Sequence, residues 1–278
     1  MKVAVIIKAV GNTDMAEVSK ICRAFAEFAE VVTENRALAS ACGTEYEPVE
    51  TIFKSCDFVA ALGGDGTILT AARKASEFDK PVLGINLGRL GFLSNMEKDT
   101  FLKDGCKKLT GDFNTERRMM IEAKVCKEGE PEAFTALNDI VVTRTHIARL
   151  EGLKIYVDNE FLGNYLADGV IVSTPTGSTA YSLSAGGPIA DPRLEFMIIT
   201  PICPHMLHAR PVIVPPTSTV CIEKPHENRT ESTVTADGAN GCILRGGEKV
   251  IIKKYEKYAN FITLSDRSFY DKLRKKLQ

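Results

Sequence analysis

Hydrophobic positions in the first hundred residues follow two alternating rhythms. Val3–Ile7, Phe58–Leu62 and Pro81–Asn86 are short apolar runs of the length and density of strands buried on both faces. Between the first two, Val18, Ile21, Cys22, Phe25, Ala29 and Val32 recur at spacings of three and four, with Asp14 and Glu17 placed as a capping box. That spacing predicts an amphipathic helix from Asp14 to Val32. Gly63-Gly64-Asp65-Gly66 ends the second run, and Thr67 to Ser76 reads as the opening of another helix. Strands alternating with helices imply βαβ units around a parallel sheet.

Past about residue 112 the texture changes. Met119–Cys126, Ile140–Thr143, Leu153–Val157, Gly169–Ser173, Val212–Val214, Thr219–Glu223, Ser232–Thr235 and Val250–Lys254 are short β-rich runs parted by turn residues. Asp158-Asn159 and Arg245–Glu248 read as hairpin turns. Phe269, Leu273 and Leu277, four apart, then predict a terminal helix. The division expected is an α/β domain over 1–111, a β-rich domain over 112–258, and a tail helix over 259–278 that returns to the first domain.

Composition narrows the function classes. Of 278 residues 44% are apolar, enough for a sizeable core, and the length suits two compact units. With 35 Lys plus Arg against 36 Asp plus Glu, the net charge of −1 argues against a nucleic-acid or anionic-membrane binder. The first apolar run is too short for a secretory signal or a membrane span, and no later stretch approaches the length of a span. Eight cysteines at least 14 residues apart, with no CxxC pairing, are expected as free buried thiols in a reducing cytoplasm. Asn228-Arg229-Thr230 fits a glycosylation sequon, but no export signal accompanies it.

Three constellations carry candidate chemistry. Gly63-Gly64-Asp65-Gly66-Thr67 lies at a strand-to-helix junction, where free N–H groups favour a phosphate. A carboxylate is out of place in a pure anion nest, so Asp65 reads either as a chemical group or as the helix N-cap of an ordinary turn. Asp168–Pro188 carries a strand into a string of small and hydroxylated residues around Tyr181, suited to a flat polar ligand or to a polar surface loop. Asn138-Asp139 can read an adenine edge and a ribose diol, or can be turn residues ahead of a strand. No GxxxxGK[ST] or strand-borne GxGxxG is present, which sets aside Walker-type and Rossmann dehydrogenase sites.

In order and spacing, the GGDGT turn, Asn86–Leu93 (NLGRLGFL), Asn138-Asp139, Asp168–Pro188, Pro201–His205 and Arg210-Pro211 together resemble NAD kinases, which move the γ-phosphoryl of ATP to the 2′-hydroxyl of the adenosine ribose of NAD. The likeness covers most of residues 57–215. The turn alone is shared with diacylglycerol, sphingosine and phosphofructo-type kinases, which leaves a lipid or sugar kinase, or a non-catalytic NAD sensor, as alternatives. The Asp168–Pro188 string is specific.

The resemblance implies Asp65 as proton acceptor, Gly66 beside it at the NAD phosphates, and Gly63, Gly64 and Thr67 in the same nucleotide-binding turn. Asn138 and Asp139 would hold the nucleotide and Arg149 the substrate. Asp168 would contact the nicotinamide end, and Thr179, Ala180, Tyr181, Ser182, Leu183 and Ser184 would enclose NAD. It also implies an α/β domain followed by a β-sandwich with the site between them, Mg²⁺ on the phosphates without an all-protein cage, and a homodimer or homotetramer. The chain departs from the pattern at Ala239, where many members have a glutamine that touches substrate.

Overall fold

Five parallel strands, in the order β3-β2-β1-β4-β5, form the sheet of the first unit: β1 (Lys2–Ile7), β2 (Glu30–Thr33), β3 (Glu45–Tyr46), β4 (Phe58–Leu62) and β5 (Val82–Asn86). A two-residue β6 (Met96–Glu97) adds to β5. The computed structural model describes every residue except 9–14, 89–90, 95, 112, 128, 146–150, 228–229, 265–267 and 278. Backbone contacts divide the chain into two compact units, Met1–Arg117 with Lys257–Gln278, and Arg118–Glu256.

Helices α1 (Met15–Ala26), α2 (Arg36–Cys42), α3 (Val49–Ser55) and α4 (Asp65–Ser76) join the strands of the first unit. The sheet's apolar run closes on α1 around Phe25, whose ring centroid lies 6.0 Å from Phe58 and 4.9 Å from Phe101. α1 stops six residues short of the predicted end. Phe28 and Ala29 both donate to the Phe25 carbonyl, which closes the helix, and the β-branched pair Val31-Val32 joins β1 as a parallel strand. Asp14, the other half of the expected capping box, lies outside the described residues. Neither α2 nor α3 was signalled by periodicity, because seven residues make only two turns. The cap signals of α2 are nevertheless present: the Asn35 side chain accepts from Leu38 N, and Gly43 takes a left-handed φ of 66°.

The second unit is a sandwich of two antiparallel sheets. One runs β14-β13-β12-β9-β16-β17, from β9 (Asp139–Arg144), β12 (Gly169–Ser173), β13 (Met197–Ile202), β14 (Val212–Val214), β16 (Ser232–Ala236) and β17 (Ala239–Leu244). The other contains β10 (Glu151–Val157), β11 (Glu160–Ala167), β15 (Val220–Glu223) and the first half of β18 (Lys249–Thr263), with β7 (Asn114–Cys126) and β8 (Glu132–Ala136) alongside. Val142, Val170, Ile199 and Val234 of one sheet share a core with Leu153, Ile155, Ile222 and Ile252 of the other.

Two turns read from the sequence fare differently. Asp158 and Asn159, at φ 51° and 69°, make the tight turn of the β10–β11 hairpin. Arg245–Glu248 is a turn, closed by Glu248 N to Arg245 O, but joins no hairpin: β17 pairs with β16 and β18 with β15, so the chain changes sheets there.

The C-terminal helix Phe269–Leu277 belongs to the first unit. Its packed face differs from the predicted stripe, since Leu277 is 58% exposed while Lys272 is 8% exposed. All eight cysteines are free, as expected, but only Cys22, Cys56 and Cys242 are buried and Cys203 is exposed. Asn228 and Arg229 of the sequon lie outside the described residues. Among the described residues no helix is long and apolar enough to cross a membrane.

Candidate functional site

The glycine-rich turn follows directly from β4. Gly63 N donates to the Ile85 carbonyl of the neighbouring strand, and the Gly64 carbonyl accepts from Thr67 and Ile68, so Gly64 is the N-cap and Asp65 the first helical residue of α4. The N-cap alternative for Asp65 is thereby removed. Its side chain turns instead to the loop after β5: Oδ2 accepts from Phe92 N at 2.7 Å and Oδ1 from Leu93 N at 3.1 Å. Gly64 and Gly66 are exposed and Thr67 half-buried, which leaves the N-terminal amides of α4 on an open surface.

In the second unit, Asn138 and Asp139 head β9 and line a cleft of about 500 Å³ with Ala180, Tyr181, Asp237 and Gly238. Val141, Thr143 and Thr235 complete its wall. Asp237 organises this corner. Its carboxylate accepts from the backbone N–H groups of Leu137, Asn138 and Asp139 at 3.0, 2.8 and 3.2 Å, and its own N–H donates to the Asp139 carbonyl. Asp139, only 4% exposed, has a carboxyl pushed up to about 7 by burial, with the Asp237 charge adding to the rise.

The hydroxylated string after β12 splits by direction. Thr174 Oγ1 donates to the Leu137 carbonyl, Ser178 Oγ to the Pro175 carbonyl, and Ser182 Oγ pairs with Thr200 Oγ1, so these hydroxyls serve the fold. The chain makes a 3₁₀ turn over Thr176–Thr179 and a single helical turn over Tyr181–Ser184. Ala180 and Tyr181 form the part of this segment that lines the cleft, with Tyr181 44% exposed. Ser184 is exposed, Thr179 and Leu183 half-buried, and none of the three lines it. Asp168, at the start of β12, is ion-paired with Arg144 Nη2 at 2.8 Å and is also outside the cleft lining. Arg149 lies outside the described residues.

The structure thus gathers Asn138, Asp139, Ala180 and Tyr181 in one unit, and Gly63, Gly64, Asp65, Gly66 and Thr67 in the other. Asp237 carried no role in the sequence reading. Its signal was the Asp237-Gly238 dipeptide, a hairpin turn with φ 53° and 66°.

Comparison with known proteins covers both units. Residues 10–113 match the family model of the ATP-NAD kinase N-terminal domain and residues 137–264 that of the ATP-NAD kinase C-terminal domain. An NAD kinase of Thermoanaerobacter sp. strain X514 is 46% identical over 246 residues, 87% of each chain. One from Lachnoclostridium phytofermentans is 41% identical over 279 residues, 96% of each. The crystal structure of yeast NADH kinase complexed with NADH matches with a TM-score of 0.90 at 26% identity, covering 99% of this chain and 87% of that one. An Archaeoglobus fulgidus NAD kinase in complex with ATP matches at 0.78 and 29% identity, over 99% of both chains.

Proposed function

For a chain that belongs to the ATP-NAD kinase family, we propose the family's reaction, transfer of the γ-phosphoryl of ATP to the 2′-hydroxyl of the adenosine ribose of NAD to give NADP. The observation that carries the reading is the corner of the second unit's cleft, where Asn138 and the buried Asp139 stand beside Tyr181. An amide that both donates and accepts suits an adenine edge, a carboxylate suits a ribose diol, and an exposed aromatic ring suits a flat base.

Phosphoryl transfer needs the acceptor oxygen aligned, the phosphoryl charge offset and a destination for the acceptor's proton. In this reading Asp65 takes the proton. Its two backbone hydrogen bonds fix the orientation of the carboxylate and still leave lone pairs for a substrate hydroxyl. Such assistance contributes about 10²–10⁴ in rate, so positioning supplies most of the remainder. The N-terminal amides of α4 at Gly64–Gly66 face phosphate, and Arg149 and Asp168 are assigned to the rest of NAD.

A divalent cation such as Mg²⁺ belongs to the reading as a companion of the ATP phosphates, whose charge it would neutralise. Among the described residues no three His, Cys, Asp or Glu side chains cluster to hold one. Free cysteines throughout suit the cytoplasm. Assembly as a homodimer or homotetramer is taken over from the family.

Labelled ATP supplied with Mg²⁺ and an equal mixture of NAD, diacylglycerol, sphingosine and fructose 6-phosphate tests the acceptor. A cleft that hydrogen-bonds its substrate rejects an acyl chain lacking the partners by about 10⁴ or more. Label is expected in NADP alone, and comparable label in a lipid or sugar would overturn the proposal.

A further inference from the structure

Lys272 is the buried residue of a terminal helix whose other positions are half-buried or exposed, and its ammonium points into the loop that holds Asp65. Nζ donates to the Phe92 carbonyl at 3.2 Å and to the Ser94 carbonyl at 2.7 Å. The same loop supplies the Phe92 and Leu93 N–H groups that bind the two Asp65 oxygens. Phe269, Lys272 and Lys276 share one helical face at i, i+3 and i+7. All three close on this loop: the Phe269 ring lies 6.5 Å from that of Phe92, and Lys276 Nζ lies 4.6 Å from the Phe92 ring centre.

We propose that Lys272 is a positioning residue for Asp65, clamping the carbonyls of the 92–94 loop so that its amides hold the carboxylate in one orientation. Charge-assisted bonds from an ammonium to carbonyls are stronger than neutral ones. The Phe92 carbonyl and the Leu93 N–H share one peptide plane, so the first bond holds that donor directly, while the bond to Ser94 pins the loop two residues beyond the Phe92 donor. The terminal helix, more than 170 residues away in sequence, thereby becomes part of the catalytic apparatus without touching substrate. The proposal rests on reading Asp65 as the proton acceptor.

Lys272→Met keeps the length and removes the donors. It is expected to lower kcat about tenfold or more, with the KM for NAD and for ATP held within about threefold, because the loss falls in the transition state. Amide hydrogen exchange gives a second readout: the Phe92 and Leu93 amides should exchange at least about tenfold faster while β4 amides stay unchanged. If Lys272→Met does not fold, Lys272→Gln retains one neutral donor and should move both readouts in the same sense by less. Wild-type kcat in a folded variant overturns the clamp, as does a lowered kcat with both loop amides still protected. Asp65→Asn, run in parallel, separates the two ideas. Normal turnover there removes both, whereas lost turnover there with normal turnover in Lys272→Met removes the clamp alone.

Discussion

Gly91 has no room for a side chain because Asp65 fills the space: a Cβ built on Gly91 would lie 1.7 Å from Asp65 Oδ1 and 2.2 Å from its Cγ. The glycine in the loop and the carboxylate on α4 form one unit. Gly91→Ala must therefore displace Asp65 or break its bonds to Phe92 and Leu93. A misplacement of about 1 Å can cost about 10²-fold in rate, so kcat should fall about 100-fold with NAD binding little changed. Steady-state kinetics with a binding titration check this, and normal turnover in the Gly91→Ala variant would show that Asp65 works elsewhere.

Gly177 stands in a similar relation to Asn138 at the cleft of the second unit. A Cβ there would meet the Asn138 carbonyl oxygen at 2.0 Å, and that oxygen belongs to main chain that cannot swing aside. The contact is held by Thr174, whose N–H donates to the Asn138 carbonyl and whose hydroxyl accepts from Gly177 N. Gly177→Ala should push Asn138 out of register, raising the KM for NAD about tenfold and costing about 1–3 kcal/mol of stability, the usual range for overpacking. Thermal unfolding and NAD titration test both parts. A variant with unaltered NAD affinity would remove Asn138 from the binding surface.

The Asp139 carboxyl gives a pH dependence with a definite sign. Its folded value, about 7, lies above the ordinary 3.8, so between these values the folded protein holds a proton that the unfolded chain releases. Stability from this group is present at low pH and is lost as pH rises through about 7. A shift of this size is worth on the order of 4 kcal/mol at most. Asp139→Asn, which mimics the neutral acid, should raise Tm at about pH 8 by several degrees, with the gain shrinking toward about pH 4. A gain independent of pH would rule out the raised value.

Ligand binding at the same carboxyl should run the other way. A ribose diol donates to the ionised form, so NAD should bind more tightly as pH climbs from about 6 to 8, and Asp139→Asn should flatten that profile while weakening binding by about 5- to 150-fold, the equivalent of about 1–3 kcal/mol for a lost buried partner. A wild-type affinity constant across this range would take the diol away from Asp139.

What could be read in the chain depended on how local the determining contacts are. Phe58–Leu62 and Gly169–Ser173 were legible to the residue, because each is a fully buried run bounded by turn signals. Met197–Ile202 was not, since Pro201 argues against a central strand. β13 tolerates it because β14 pairs only as far as Ile199, leaving that side of Pro201 without a ladder partner. Among the candidate residues of the two units, Asp65, Asn138 and Asp139 announced themselves as carboxylates and amides beside glycines or strand starts. The groups that hold them in place did not: Asp237 reaches Asn138 across 99 positions and Lys272 reaches Ser94 across 178. Such supports are ordinary hydrophilic residues until the fold brings them home.

The most direct test is NADP formation by the purified wild type and by Asp65→Asn, with ATP, Mg²⁺ and NAD supplied and NAD affinity measured on both. The wild type should make NADP, and Asp65→Asn should do so at least about 100-fold more slowly with NAD affinity within a few fold, since a proton acceptor acts in the transition state. A wild type that binds NAD and forms no NADP, or an Asp65→Asn variant of near-normal turnover, would contradict the account.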